Sequence, residues 1–481
     1  MPFFAILGGA ATNYWPFVVL VASVGLIIFL ITVARVHAFL ALILAAVAAG
    51  LMAEIGSLPG EAEGKRHWVQ AVELTTSEFG VTAGKIAVVI GLASVISMCL
   101  MESGAADKVV RRFLALFGEK RAGAAIMASG YVISIPIFFD TFFMLLLPLA
   151  RAMRLRTGKD YLLYVMAICC GGTVTHSLCA PHPGPLAMAE ILKLDLGLTI
   201  MVGVAVGVAP TLASWLFVRW LNRRLEVPLR EVPGTPLEDL EKIVAESEAR
   251  LPSFFWSIVP VLLPIFLIGL ASTFAAIKSL TAAFPTLSAA VEFAGNRNVA
   301  LFIGTAIAMG VLMRQRGLTI ARVCQMIGPP LETAGVIILI TSAGGAFGLM
   351  LKNAGVGEAI KEAVAGHEVN LVLLAWAVAA VIRVAQGSAT VAMLTTAAMV
   401  YPLVSGMSLP YHPVYLFLAI GFGAMVLSWM NDSGFWVVAK LSGFTEKETL
   451  KSWTMVVTVN SVVCLLLTLL LSTVLPFAPK P

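Results

Sequence analysis

The 481-residue chain is 59% hydrophobic and 12% charged, with 32 Lys+Arg against 27 Asp+Glu and a net charge of +5. Soluble domains carry about 25% charged residues, so a water-soluble globular fold is excluded, and the modest positive excess is better explained by membrane sidedness than by nucleic-acid binding. The six cysteines (99, 169, 170, 179, 324 and 464) lie in or beside apolar segments and form no CxxC pair, which argues against a disulfide framework or a metal knuckle.

Apolar runs recur from Trp15 to Leu475, each long enough to cross a hydrocarbon core of about 30 Å. The N-terminus, MPFFAILGGAATNYW, has no basic region and runs straight into the first span, so no cleavable signal is expected. In chain order the expected membrane segments are 15–34, 36–53, 79–101, 121–153, 160–182, 198–220, 254–275, 298–313, 330–351, 370–402, 413–432 and 453–476. Two of them, 121–153 and 370–402, hold 33 residues each. One helix of that length would run about 50 Å, too far for a single crossing. Two half-length helices folded into a re-entrant hairpin fit.

Charge placement supports this count. Lys108, Arg111, Arg112, Lys120 and Arg121 precede the first long segment, and Arg151, Arg154, Arg156 and Lys159 accompany its end. Both ends therefore belong in the cytoplasm. With two hairpins, ten full spans and both termini outside, cytoplasmic loops hold 22 Lys+Arg and external loops 8, with Lys85 and Arg383 inside spans. Lys85, six residues into its span, is expected to snorkel outward. The basic amphipathic stretch 104–121 reads as a helix lying on anionic lipid.

The one long hydrophilic stretch, NRRLEVPLREVPGTPLEDLEKIVAESEARLP, starts at Asn222 and separates halves of similar size. It places a cytoplasmic linker at 226–252 between a first repeat, 1–225, and a second, 253–481. Sliding the chain by 251 sets SGAADKV (103–109) over AGVGEAI (354–360) and SIPIFFD (134–140) over AQGSATV (385–391). A shift of 250 sets HPGPLAMA over DSGFWVVA. Each half makes five crossings, an odd number, so the halves insert upside down relative to each other. The expected fold is thus an all-α polytopic membrane protein with an inverted-topology repeat, two re-entrant hairpins and two broken helices, 160–182 and 413–432.

Irregular backbone at membrane depth is tolerated only where protein or trapped water satisfies it. Four stretches combine helix breakers with polar side chains: Ser134-Ile-Pro136 with Asp140, HSLCAPHPGP (176–185), RVAQGSAT (383–390) and NDSG (431–434). Arg383 is the only Asp, Glu, Lys or Arg between Glu368 and Asp432, and a guanidinium at mid-bilayer depth costs about 3 kcal/mol on the gentlest scale. Beside it, Gln386, Gly387, Ser388 and Thr390 would leave helix-terminal N–H groups facing an anion. Arg383 therefore belongs either to an anionic-substrate site or to a structural pair with Asp140 or Asp432. The prolines at 181, 183 and 185 must open the span near His182. His182, Ser134, Asn431 and Ser433 join the candidate binding set, and Asp140, Asp432 and His176 are candidates for carrying protons. No ligand spacing suggests a metal, and no cofactor is expected.

Several stretches resemble the gluconate permease (GntP) family of proton symporters: IPIFFDTFFMLLLPLA (135–150), HSLCAPHPGPLAMAEILKLDLG (176–197), ILITSAGGAFGLMLKNAGVG (338–357), IRVAQGSATVAMLTTA (382–397) and NDSGFWVVAKLSGFTEKETLKSW (431–453). The likeness covers nearly the whole chain and departs in the acidic linker and the loop 54–78. It implies proton-coupled uptake of gluconate or a related sugar acid or hydroxy acid at the bacterial inner membrane. It also implies a homodimer in the ion transporter superfamily, with a fixed scaffold and a moving, elevator-like transport domain. D-serine or another small carboxylate, and sodium coupling, are alternatives. An anion channel is a weaker one, and a membrane-embedded enzyme lacks a nucleophile or metal set.

Overall fold

The computed structural model describes residues 14–118, 121–135, 137, 139–230, 251–277, 284–356, 358–359, 370–405, 407–430 and 432–477. All regular structure among them is helical, as expected where the backbone must satisfy its own polar groups in lipid. The first half comprises α1 (Trp15–Ile28), α2 (Ala38–Met52), α3 (His67–Glu102), α4 (Ala105–Phe117), α5 (Ala122–Ile133), α6 (Phe139–Thr157), α7 (Tyr161–Leu178), α8 (Pro183–Ile191) and α9 (Leu196–Asn222). The second comprises α10 (Phe254–Ala276), α11 (Pro285–Ala294), α12 (Arg297–Arg316), α13 (Ile320–Met326), α14 (Gly328–Asn353), α15 (Leu371–Gln386), α16 (Ala389–Val404), α17 (Val414–Gly423), α18 (Ser433–Ser442) and α19 (Glu446–Val474). Among the described residues, seven helical segments are long and apolar enough to cross a membrane: α3, α7 with α8, α9, α10, α12, α14 and α19.

Both 33-residue segments are split in two. α5 and α6 pack on each other on either side of the break between Ile133 and Phe139, and α15 and α16 do so around Gly387 and Ser388. Gly387 adopts φ 83°, a left-handed conformation that glycine takes without steric cost, and so ends α15 within one residue. Ser388 then caps α16, its hydroxyl accepting from the Val391 N–H at 3.4 Å. Both broken helices open where breakers were read: α7 stops at Leu178 and α8 starts at Pro183, and residues 424–432 separate α17 from α18. The Ala180–Pro181 peptide bond is cis.

Packing pairs repeat between the halves. α5 lies on α7 as α15 lies on α17, α7 on α9 as α17 on α19, α3 on α12 as α14 on α2, and α10 on α12 as α1 on α2. Two contacts map onto themselves, α3 with α14 and α9 with α19, so an approximate two-fold relation runs through these pairs. The symmetry fails around the central pair of α3 and α14. α16 lies along α14, and α8 touches both α3 and α14, whereas their counterparts α6 and α18 pack on each other without a comparable contact to that central pair.

The central helices can approach because Gly345 and Gly348 of α14 carry no side chain. An added Cβ would sit 2.4 Å from the Thr82 hydroxyl and 3.0 Å from Ala398 Cβ, respectively. On the linker side, Arg230 grips Glu448 with two hydrogen bonds of 2.7 and 2.9 Å and also donates to the Gly443 carbonyl. That clasp joins the chain leaving α9 to the α18–α19 turn. Most of the expected linker, residues 231–250, lies outside the described residues.

Two boundaries differ from the sequence reading. α3 begins at His67, twelve residues before the apolar run at 79. Hydropathy registers only the lipid-facing stretch, while residues 67–78 are held by packing, with Gln70, Ala71 and Thr75 buried and Ala71 against Gly50. The first hairpin also extends past 153, because the basic turn Arg154–Thr157 continues α6.

The close α5–α7 approach yields a test. A Cβ on Gly171 would lie 2.4 Å from the Met127 carbonyl oxygen and 2.7 Å from the Tyr131 amide nitrogen, whereas one on Gly80 would meet nothing within 4 Å. Gly171→Ala should destabilise by about 1–3 kcal/mol and lower the melting temperature in detergent, while Gly80→Ala should leave it unchanged or raise it slightly. Equal melting of the two variants would contradict the packing described.

Candidate functional site

The site is built where four helix interruptions meet. A chamber of about 400 Å³ is walled by Thr173, His176 and Ser177 of α7, by Arg383 and Gly387–Thr390 at the tip of the second hairpin, and by Met425 and Asp432–Gly434 at the α17–α18 break. Phe139, Trp453 and Val457 give it one apolar side. The first turns of α16 and α18 both border this space. Helical geometry leaves their leading N–H groups without intrahelical acceptors and puts partial positive charge there. Such an arrangement favours negative charge.

Arg383 sits in the last turn of α15 and is 4% exposed. One guanidinium nitrogen donates to the Gly387 carbonyl, closing the hairpin tip, and the other donates to Asp432 Oδ2 at 2.5 Å. Among the described residues its Nε has no partner. Asp432 is 8% exposed and caps α18 by accepting from the Gly434 N–H at 3.1 Å. It also accepts from the Ser428 hydroxyl, which in turn accepts from Trp453 Nε1 at 2.7 Å. A polar chain thus runs from α19 through the break to the hairpin tip, ending in a buried ion pair with zero net charge.

The histidines form a second polar unit. His176 Nδ1 lies 2.9 Å from His182 Nε2, with ring centroids 3.9 Å apart. His176 borders the chamber, while His182, at the N-cap position of α8, is not among its lining residues. Ser134 is buried at the first hairpin tip and bonded to the Thr175 hydroxyl, so it holds that tip to α7 and does not line the chamber. Seven expected residues therefore come together at the chamber: Arg383, Gly387, Ser388, Thr390, Ser433, Asp432 and His176. Asn431 and the side chains of Gln386 and Asp140 lie outside the described residues. Among the described residues no group of three His, Cys, Asp or Glu could hold a metal ion.

Thr173, Ser177, Ser428 and Trp453 join the site without a signal in the sequence. Ser177 is fully buried and its hydroxyl has no partner. Thr173 is held by Asn460 Nδ2 at 3.2 Å. Single hydroxyls on an apolar helix resemble ordinary helix-packing residues. Only the register of α7 against the α17–α18 break brings them to the chamber.

The ion pair separates structural from binding roles. Arg383→Gln leaves the Asp432 carboxylate buried without its cation, a loss of about 3–5 kcal/mol, so less folded protein should reach the membrane. Adding Asp432→Asn should restore abundance by removing the orphan charge, but not the binding of a carboxylate ligand. A double variant that binds such a ligand as tightly as the unmodified chain would remove the pair from the site.

Comparison with known proteins agrees with the fold and the motifs. The GntP family permease profile matches residues 15–474. The chain is 35% identical over 464 residues to a gluconate permease of Pseudomonas aeruginosa, covering 95% of this chain and 97% of that protein. It is 32% identical over 461 residues to the Gnt-II system L-idonate transporter of Escherichia coli, covering 96% and 100%. The high-affinity gluconate transporter of Escherichia coli is 30% identical over 464 residues, with coverage of 96% and 100%. In fold, the chain is similar to the crystal structure of the Alcanivorax borkumensis YdaH transporter, with a TM-score of 0.60 at 14% identity over 92% of this chain and 98% of that one. The chain belongs to the GntP permease family.

Proposed function

We propose that this chain is a carrier that imports gluconate or a related sugar acid across the bacterial inner membrane together with a proton. The observation that carries the reading is the neutral Arg383–Asp432 pair in a polar chamber bordered by two helix N-termini. The chamber volume falls within the range of about 300–1,000 Å³ typical of small-molecule sites. A guanidinium presents a planar fork that matches a carboxylate, and Arg383 Nε is left without a partner. The hydroxyls of Thr173, Ser177, Ser388, Thr390 and Ser433 suit a polyol chain, and Trp453 and Phe139 suit its C–H faces. Relatives named gluconate and L-idonate carriers support a sugar acid.

Charge balance supports the proton. The empty pair is neutral, so a bound monocarboxylate adds one uncompensated negative charge in a low-dielectric space. Such a charge is costly enough that a nearby group takes up a proton instead. Asp432 is the first acceptor, since the acid competes for its guanidinium, and His176 borders the same chamber. Asp140 and Asn431 remain part of this proposal from their place in the sequence.

The topology that fits is ten crossings and two hairpins with both termini outside, as the distribution of basic residues favours. Repeat 1 is then 1–225, the linker 226–252 and repeat 2 253–481, inserted with opposite orientation. α8 and the second hairpin belong to the outer side and lie against α3 and α14, while α6 and α18 on the inner side do not. That arrangement fits a chamber closed to the outside and open inward. A homodimer surrounded by anionic lipid completes the proposal.

Purified protein in liposomes should accumulate labelled gluconate when the outside is more acidic, and a protonophore should abolish that accumulation. L-idonate should compete better than D-serine, whose ammonium group offsets the charge that recruits the proton. Accumulation driven by sodium at equal pH would overturn the coupling. Downhill leakage without accumulation would indicate a channel.

A further inference from the structure

A second cavity, of about 150 Å³, lies at the other end of the same two helices. α8 and α16 start beside the first chamber, with His182 and Ser388 as their N-terminal caps. At their far ends Glu190 and Tyr401 line the second cavity. From Thr390 to Tyr401, α16 rises about 17 Å at 1.5 Å per residue. Between the two spaces α8 and α16 are in direct contact, with the Met393 sulfur only 2.9 Å from where a Cβ on Gly184 would sit.

The cavity is electropositive. Lys85 of α3, Lys193 of the α8–α9 turn and Lys352 of α14 line it together with Glu78 and Glu190. Glu190 is already neutralised by Arg297 of α12. Among the described residues none of the three lysines is ion-paired, and the Lys352 ammonium stands 5.9 Å from the Tyr401 ring centroid. Three lysines, of which Lys193 and Lys352 are exposed, thus line the cavity with one carboxylate that is not ion-paired among the described residues, that of Glu78. Lys85 is half-buried and its side chain borders this cavity.

We propose that this cavity is a second, weaker binding site for the transported sugar-acid anion, occupied on the outer side before α8 and the second hairpin give access to the first chamber. The proposal rests on the sugar-acid reading above and its topology. Ammonium groups on flexible stems hold a carboxylate as point charges without fixing its orientation, and the hydroxyls of Thr82 and Tyr401 are at hand for the polyol chain. A cleft of one charge sign raises the local concentration of its counter-ion and the rate of capture, with steep dependence on ionic strength. The site is thus expected to act on capture and not on the translocation step.

The test uses the full chain with Lys85→Gln and Lys352→Gln together, reconstituted in liposomes, with initial rates of gluconate uptake measured over a range of concentrations at low and high ionic strength. The double variant should show KM raised about three- to tenfold at low salt, a maximal rate within about twofold, and a KM that no longer rises with salt. The corresponding double change to arginine, which keeps the charge, should retain the wild-type KM. Unchanged KM with wild-type salt dependence would overturn the second site, as would a collapse of the maximal rate at constant KM. Wild-type uptake in the same vesicles separates the two readings: its absence contradicts the sugar-acid reading and this site with it, whereas normal wild-type uptake beside an unaffected variant overturns this site alone.

Discussion

A guanidinium cannot stay buried in an apolar bundle without a counter-charge and acceptors, and satisfying Arg383 organises much of this molecule. Its partner Asp432 comes from a different helix interruption, 49 residues along the chain. To meet, α15 must end abruptly at Gly387 and α17 must unwind before α18. The Gly387 carbonyl freed by that ending accepts from Arg383 itself, so the hairpin tip and the ion pair satisfy each other. Ser428 and Trp453 then tie the pair to α19. Removing either charge exposes the other to the full penalty of burial.

The same interruptions that satisfy the arginine make the chamber. Helices that stop inside a membrane leave unbonded N–H groups and polar side chains that must face protein or trapped water. Here they face one another across a cavity, with α16 and α18 presenting N-termini and α7 presenting hydroxyls and His176. The approximate two-fold relation between halves accounts for the paired interruptions. Its failure at α8 and α16, which lie against α3 and α14, gives the two ends of the chamber different surroundings. Glycines 345 and 348 permit that contact by replacing side chains with bare backbone at the seam.

Much of this was legible in the sequence for definite physical reasons. A lone charge in an apolar run, a Pro-rich opening and 33-residue segments each violate the requirements of a simple membrane helix, and violations stand out against a uniform background. That is why Arg383, Asp432, His176 and both hairpins could be named from residues alone. The alternatives for Arg383, ligand contact or pairing, were not separable, because the pairing with Asp432 depends on how two distant interruptions are juxtaposed. Ser177 and Thr173 were invisible, since isolated hydroxyls on α7 carry no periodic signal. Residues 67–78 escaped notice as helix because hydropathy is blind to helices held by packing outside the apolar run. Ser134 looked like a ligand group, but its bond to Thr175 uses it within the fold.

We propose that the neutral buried pair accepts a carboxylate only together with a proton. This can be measured without transport, in weakly buffered detergent solution at neutral pH, by following a pH indicator as gluconate is added to the purified protein. One proton should be taken up per acid bound, and none when gluconate is replaced by an uncharged polyol of the same length. Saturable gluconate binding with no proton uptake would contradict it.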